Sequence, residues 1–241
     1  MSPLATVALF SGVAALAAAL GALPHGMGRP PSRSMIGWAN ALAAGLMLGV
    51  AYTLLTEGLG NALWAGGAGA LVGIVFVRAG HAAAGTGELD ALVELPPGQG
   101  YKLVLVDALH GADEGVAIGA AMAVSLPLGI AMALALGVHN VPEAIVLSSA
   151  LRERGTSLPR TTLLAVGVKT SQVLLAVASF SVAVAWPGSL PWLVGFAVGA
   201  LIYRTLVELL PESYHQAGQT SIAMVTLLAA GVVVLLAGAV E

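Results

Sequence analysis

The sequence has 241 residues, of which 58% are hydrophobic and only 9% are charged. Such a chain has more apolar surface than one water-soluble core can bury, which excludes an ordinary globular protein and indicates an integral membrane protein. Nine Lys and Arg against twelve Asp and Glu provide no basic surface for nucleic acid. The absence of cysteine excludes disulfides, thiolate metal ligands and cysteine nucleophiles.

Apolar segments of about 20 residues, the length that crosses roughly 30 Å of hydrocarbon, recur along the chain. The first begins at Leu4 with no Lys or Arg before it, so we interpret it as a membrane helix and not as a signal peptide. We predict an all-α fold, a polytopic membrane bundle of eight helices that forms one transport domain over residues 1–241, with a flexible cytoplasmic loop at about 81–100. In chain order the predicted helices cover residues 4–24, 36–58, 61–79, 101–125, 127–151, 160–186, 190–213 and 219–240.

Basic residues predict the orientation, because cytoplasmic loops collect Lys and Arg. All but two lie in or beside the odd-numbered loops: Arg29, Arg33, Arg78, Lys102, Arg152, Arg154 and Arg160. The odd loops are therefore predicted to be cytoplasmic and both termini extracytoplasmic, an arrangement that favours a bacterial inner membrane. The two exceptions, Lys169 and Arg204, lie within predicted helices 6 and 7, and we interpret them as counter-charges that offset the cost of burying carboxylates.

Predicted helices 4 and 5 each carry a His and a Glu four residues apart, on one helical face. A charged residue at the centre of a membrane helix costs about 2.5–3.5 kcal/mol, so buried ionisable residues indicate function. Counted from the cytoplasmic ends at about 1.5 Å per residue, His110 lies at the depth of Glu143. Glu114 lies at the depth of His139, so each His is predicted to face a Glu of the other helix. Two imidazoles and two carboxylates near the midplane predict a divalent-metal site.

Further polar residues extend the predicted pathway toward both membrane surfaces. Asp107 lies about 7 Å inside predicted helix 4 and is either a pathway residue or a helix-end residue. Glu208 is a deeper candidate in predicted helix 7. Glu212 and His215 are predicted to mark the cytoplasmic mouth and Glu57 the outer entrance, with an ordinary solvated helix end as the alternative.

Two backbone features are typical of transporters. Pro142 predicts a bend in helix 5 that frees a carbonyl near residue 138, which is tolerated in a membrane only where it lines protein or a wet cavity. A Gly-x-x-x-Gly pattern occurs at residues 45–49 and again at residues 195–199, each before a polar stretch. We therefore predict that helices 1–3 and 6–8 are inverted repeats around helices 4 and 5.

These residues resemble the ZIP family of divalent-metal transporters, and the resemblance covers essentially the whole chain. The run from His139 to Glu143 is similar to the family motif His-Asn/Asp/Glu-x-Pro-Glu in helix 5. The run from His110 to Gly115 keeps the His, Glu and last Gly of the helix 4 motif, and Glu208 begins a Glu-Leu-Leu-Pro-Glu stretch like that of helix 7.

The resemblance implies a primary metal site of His110, Glu114 and Glu143, with Met47 as a further ligand. Asn140 and Glu208 would border a second site.

Two departures from the family pattern bear on the metal count. Gly111 replaces the usual amide-bearing residue and so removes a donor from the second site. Asp113 replaces a proline, which predicts a straighter helix 4 and adds a carboxylate to the metal site. Lys169 or Arg204 would occupy the space of a second ion, so a mononuclear site is favoured over a binuclear one.

The leading hypothesis is therefore a transporter, not an enzyme, that carries Zn²⁺, or Fe²⁺, Mn²⁺ or Cd²⁺, toward the cytoplasm. The metal is its transported substrate and no cofactor is implied. Its partners are the metal ion and the lipid bilayer, with a homodimer left open. The alternative is an intramembrane metalloenzyme resembling a zinc protease, although the His-Glu-x-x-His pattern of such enzymes is missing. A third reading is a proton channel or a metal-free scaffold.

Overall fold

The computed structural model describes residues 1–60, 62–86 and 99–239, and these ranges form helices without any strand. Seven of the helical rods are long and apolar enough to cross a membrane. An eighth, Gly100–Val124, is as long but carries Asp107, Asp113 and Glu114. The rods are Pro3–Gly26 (α1), Arg33–Gly58 (α2), Leu63–Ala84 (α3), Gly100–Val124 (α4), Leu126–Glu153 (α5), Leu158–Ala185 (α6), Pro187–Ala217 (α7) and Gln219–Gly238 (α8). The predicted all-α class is confirmed.

Local capping residues determine where several rods begin and end. The hydroxyls of Ser2, Ser32 and Ser125 each accept a hydrogen bond from the amide three residues further on, at the starts of α1, α2 and α5. Gly85 ends α3 in the left-handed conformation, with φ of 62°. The predicted loop at 81–100 is thus wrong at its beginning, because α3 continues to Ala84. Residues 87–98 of that loop lie outside the described residues.

Three rods are irregular along their length. In α1 the backbone tightens into a 3₁₀ helix over Ala18–Ala22. The backbone of α6 is interrupted at Lys169, between the helical segments Leu158–Val168 and Thr170–Ala185. The backbone of α7 widens into a π-helix over Thr205–Leu209, a local irregularity that often accompanies functional sites. By contrast, α5 continues through Pro142 as one helix. The irregular turns of α6 and α7 thus lie beside Lys169 and Arg204, the two intramembrane cations.

The rods pack in pairs around a central group. The helix α3 packs along α7, α8 along α2, α4 along α6 and α1 along α5. In addition, α2 contacts α4, α5 and α7, and α7 contacts α4. Within the most apolar stretch of each rod, 72% of the residues are buried in α2, but only 22% in α3 and 28% in α8. The helices α3 and α8 therefore lie at the periphery, where their apolar faces meet lipid.

Glycine allows the closest of these approaches. A Cβ atom added to Gly195 of α7 would lie 2.0 Å from the carbonyl oxygen of Gly66 on α3. A Cβ atom added to Gly45 of α2 would lie 2.2 Å from the carbonyl oxygen of Thr226 on α8. Neither position has room for a side chain, so these helices pack backbone against backbone, as small residues permit in membranes.

Candidate metal centre

Glu114, His139 and Glu143 form the most deeply buried group of possible metal ligands in the described part of the chain. The His139 Nε2 atom lies 3.1 Å from Glu114 Oε1 and 3.5 Å from Glu143 Oε2. His110 Nδ1 lies 3.8 Å from Glu143 Oε1. The predicted pairing of each His with a Glu of the other helix is therefore confirmed. Imidazole nitrogen and carboxylate oxygen are suitable ligands for Zn²⁺ and similar ions.

The neighbouring backbone orients the His139 imidazole. Its Nδ1 atom lies 3.2 Å from the carbonyl oxygen of Ala43 on α2. Because a carbonyl can only accept a hydrogen bond, Nδ1 donates this bond, and the ring is held with Nε2 directed at both glutamates. A hydrogen bond of this type commonly positions metal-binding histidines in proteins.

Two further groups of possible ligands continue from the first. Asp107, His110 and Glu143 form one, and His81, His110 and Glu208 form the other. Within the last, His81 Nε2 is 2.8 Å from Glu208 Oε1, and His110 Nε2 is 3.4 Å from Glu208 Oε2. The two imidazoles predicted to share one site thus belong to different groups, joined through Glu143. Together the groups form a row of ligands from the midplane toward the end of α3.

Two cations lie against the same carboxylates. Lys169 Nζ is 3.2 Å from Glu114 Oε2 and also contacts Glu143. Arg204 Nη2 is 2.7 Å from Glu114 Oε1 and 3.7 Å from Glu143 Oε1. Both cations are 1% exposed, so each is buried together with the carboxylates that it contacts. These contacts agree with the interpretation of Lys169 and Arg204 as counter-charges, which remains a prediction.

Two further predicted ligands, Met47 and Asp113, also contact Arg204. The Met47 sulfur lies 3.1 Å from Nη2, and Asp113 Oδ1 lies 3.6 Å from Nη1. Asp113 belongs to none of the three ligand groups in the described residues. Its predicted role as a metal ligand remains a prediction, whereas its contact with the guanidinium is a feature of the structure.

The side chain of Asn140 is directed away from the ligand groups. Its amide nitrogen donates to the carbonyl oxygen of Ala14 on α1, at 2.8 Å, and to Gln172 Oε1 on α6, at 2.9 Å. Gly111 faces α6 as well, where an added Cβ would lie 2.7 Å from Ser171 Oγ. Gly111 therefore lies where α4 packs closely on α6.

The residues predicted at the membrane surfaces lie apart from the three groups. Glu57, at the end of α2, and His215, near the end of α7, are exposed. Glu212 is half-buried and accepts a hydrogen bond from Gln216. Their roles at the entrance and the cytoplasmic mouth remain predictions.

His81 is a possible ligand that sequence reasoning placed in a loop. It lies in the last turn of α3, is 6% exposed, and contacts Glu208. The sequence signal for its position is Gly85, because a glycine just after the last apolar turn commonly ends a helix. Extending predicted helix 3 to that glycine would have made His81 a helical residue.

Comparisons with known proteins identify relatives. A sequence model of the family described as ZIP Zinc transporter matches residues 83–239. The chain is 33% identical to a putative zinc transporter of Arabidopsis thaliana over 226 residues, which are 90% of this chain and 36% of the relative. It is 34% identical to the zinc transporter GufA of Myxococcus xanthus over 46% of this chain and 44% of the relative. It is 31% identical to zinc transporter ZIP4 of Mus musculus over 52% of this chain and 18% of the relative. The chain thus spans less than half the length of each of these three.

Proposed function

The chain belongs to the ZIP zinc transporter family, and on that premise we propose that it carries a divalent metal ion across the bilayer toward the cytoplasm. It is an integral membrane protein by its family and its apolar helices. The observation that supports transport most directly is the row of buried ligands that Glu114, His139 and Glu143 begin. Ionisable residues at this depth are costly, and those that persist commonly mark an ion pathway.

The ion is first proposed to be Zn²⁺, with Fe²⁺, Mn²⁺ and Cd²⁺ as the alternatives. Imidazole and carboxylate ligands suit these ions better than they suit Mg²⁺, which prefers oxygen ligands alone. The cations Lys169 and Arg204 occupy much of the space around Glu114, which supports a mononuclear site. We propose transport and not catalysis as the role of the ion, which makes it a substrate.

The route is proposed to end on the side where α3 and α4 are connected. From Glu143 the ligands continue through His110 to Glu208 and His81, and His81 lies in the last turn of α3. Arg78 and Lys102 flank this connection, and basic residues favour the cytoplasmic side. The proposed orientation places both ends of the chain outside the cytoplasm, with a bacterial inner membrane as the proposed location. A single transport domain and a possible homodimer remain predictions.

We also propose that all eight rods cross the membrane and that α1–α3 and α6–α8 are inverted repeats. Packing supports this. Each principal helix contact has a counterpart when α1 is exchanged with α6, α2 with α7, α3 with α8 and α4 with α5. The contact of α3 with α7, for example, corresponds to the contact of α8 with α2. The two Gly-x-x-x-Gly patterns support it as well. Gly45 and Gly49 face α8, whereas Gly195 and Gly199 face α3, which are corresponding contacts in the two halves.

Replacing Glu143 by glutamine tests the proposed site. We expect the rate of Zn²⁺ uptake into proteoliposomes to fall at least about tenfold, since even changes beyond the direct ligands commonly cost 10–100-fold in metal affinity or activity. Glu153→Gln is the matched control, because Glu153 is the exposed last residue of the same helix. Equal uptake by the wild type and Glu143→Gln would contradict the proposed site.

Competition between ions tests the proposed chemistry of the ligands. Cd²⁺ should inhibit Zn²⁺ uptake at comparable concentration, whereas Mg²⁺ in about hundredfold excess should not, because Mg²⁺ retains its water and prefers oxygen ligands. Radioactive zinc uptake in the presence of each ion measures the difference. Inhibition by Mg²⁺ would argue against imidazole ligation.

A further inference from the structure

One terminal nitrogen of Arg204 lies among the donor atoms of the candidate site. The distances from Nη2 are 2.7 Å to Glu114 Oε1, 3.1 Å to Met47 Sδ and 3.2 Å to His139 Nε2. An ion bound to the same oxygen and nitrogen would lie about 2.0–2.2 Å from each of them. An ion held by all three of these donor atoms would overlap the position of Nη2, so the guanidinium and the metal exclude each other there.

Asp113 offers the guanidinium a second position. The carboxylate is 0% exposed, and neither of its oxygens accepts a hydrogen bond from the described residues. Likewise, Nε and Nη1 of Arg204 donate none within that part of the chain, although Nη1 lies only 3.6 Å from Asp113 Oδ1. Buried polar atoms without hydrogen bonds are unfavourable, and a paired Arg–carboxylate contact is among the strongest ways to satisfy both partners.

We propose that the metal ion displaces the Arg204 guanidinium from the ligands onto Asp113. Arg204 then sets the affinity of the site by competing with the ion, and Asp113 is a positioning residue that receives the guanidinium. The exchange keeps Arg204 paired with a buried carboxylate in both arrangements, which avoids leaving a buried charge uncompensated. This inference rests on the proposed function, because it describes how the same site is regulated.

Lys169 differs from Arg204 in the atoms that it contacts. It approaches Oε2 of Glu114, whereas Arg204 approaches Oε1, the oxygen that also faces His139. An ion between Oε1 and the imidazole therefore competes with Arg204 and leaves the lysine contact in place. The effect of Asp113 on metal affinity should therefore depend on Arg204 and not on Lys169.

A double-mutant cycle tests the exchange by calorimetric titration of the detergent-purified full chain with Cd²⁺. Asp113→Asn should weaken binding about tenfold, because the guanidinium loses its second position, and Arg204→Met should tighten binding about tenfold. In the Arg204→Met background, Asp113→Asn should change the affinity less than about threefold. In a Lys169→Met background, it should still weaken binding about tenfold.

The outcomes separate this inference from the proposed function. A wild-type chain that binds no Cd²⁺ and takes up no Zn²⁺ would overturn both. If the wild type binds and Asp113→Asn weakens binding equally with and without Arg204, then Asp113 acts as a ligand and only the exchange is overturned.

A structure of the wild-type chain with Cd²⁺ bound gives a second test, which holds even where the Arg204→Met chain does not fold. Anomalous scattering would locate the ion. Arg204 nitrogens within hydrogen-bond distance of both Asp113 oxygens would support the exchange. A guanidinium still against Glu114 Oε1 beside the bound ion would refute it.

Discussion

Replacing Glu114 by alanine is expected to abolish metal uptake and to lower the free energy of unfolding by about 3–5 kcal/mol, the cost of breaking a buried ion pair from one side. The carboxylate is 0% exposed and contacts Lys169, Arg204 and the His139 imidazole. Its removal takes away a proposed ligand and leaves two buried cations short of a partner. Uptake in proteoliposomes and denaturation of the purified chain measure the two effects separately.

A second substitution separates stability from transport. Adding Lys169→Met to Glu114→Ala removes one of the cations without a partner and should restore part of the lost stability, because an apolar side chain of similar length tolerates burial. Uptake should remain absent, since the ligand is still missing. Glu153 is an exposed carboxylate on α5, so Glu153→Ala should change neither the uptake nor the free energy of unfolding. Substantial uptake by Glu114→Ala would remove this residue from the proposed site.

Replacing Gly195 by leucine is expected to prevent assembly of the folded bundle. A Cβ atom at this position would lie 2.0 Å from the Gly66 carbonyl oxygen, which belongs to the backbone of α3 and cannot rotate aside. Overpacking against movable side chains already costs about 1–3 kcal/mol, so a clash with backbone should cost more. The yield of monodisperse protein in detergent and its melting temperature measure the effect.

Gly67 is the matched control for this substitution. It neighbours Gly66 on α3, is exposed, and has no atom within 4 Å of an added Cβ among the described residues. Gly67→Leu should therefore assemble with the yield and melting temperature of the wild type. If Gly195→Leu gives the same yield and melting temperature as Gly67→Leu, the result would contradict the close contact between α3 and α7.

The order and number of the helices could be predicted from the sequence, because apolar length and turn residues are local properties. Ser32 and Ser125 begin helices through bonds to amides three residues away, and Pro127 suits a first turn. The spacing of His139 and Glu143 likewise places both on one helical face without reference to any other helix. The structure extends α3 beyond the predicted end at residue 79, to Ala84, because the helix ends at Gly85.

The directions of the Asn140 and Arg204 side chains could not be predicted in the same way. The helical period shows which residues share a face but not which helix that face meets. Asn140, next to His139 in sequence, turns toward Ala14 and Gln172 because its face meets α1 and α6. Arg204 is 90 residues from Glu114, and only the packing of α7 on α4 brings them together.

By itself the sequence determined a membrane bundle, a family resemblance and the two His-x-x-x-Glu pairs, since each of these depends on composition or on spacing within one helix. Only the tertiary structure decided that the ligands form three linked groups, that His81 joins Glu208, and that the Arg204 guanidinium lies among the donors. The physical reason is that buried charges select their partners by distance across helices, and those distances arise only when the helices pack.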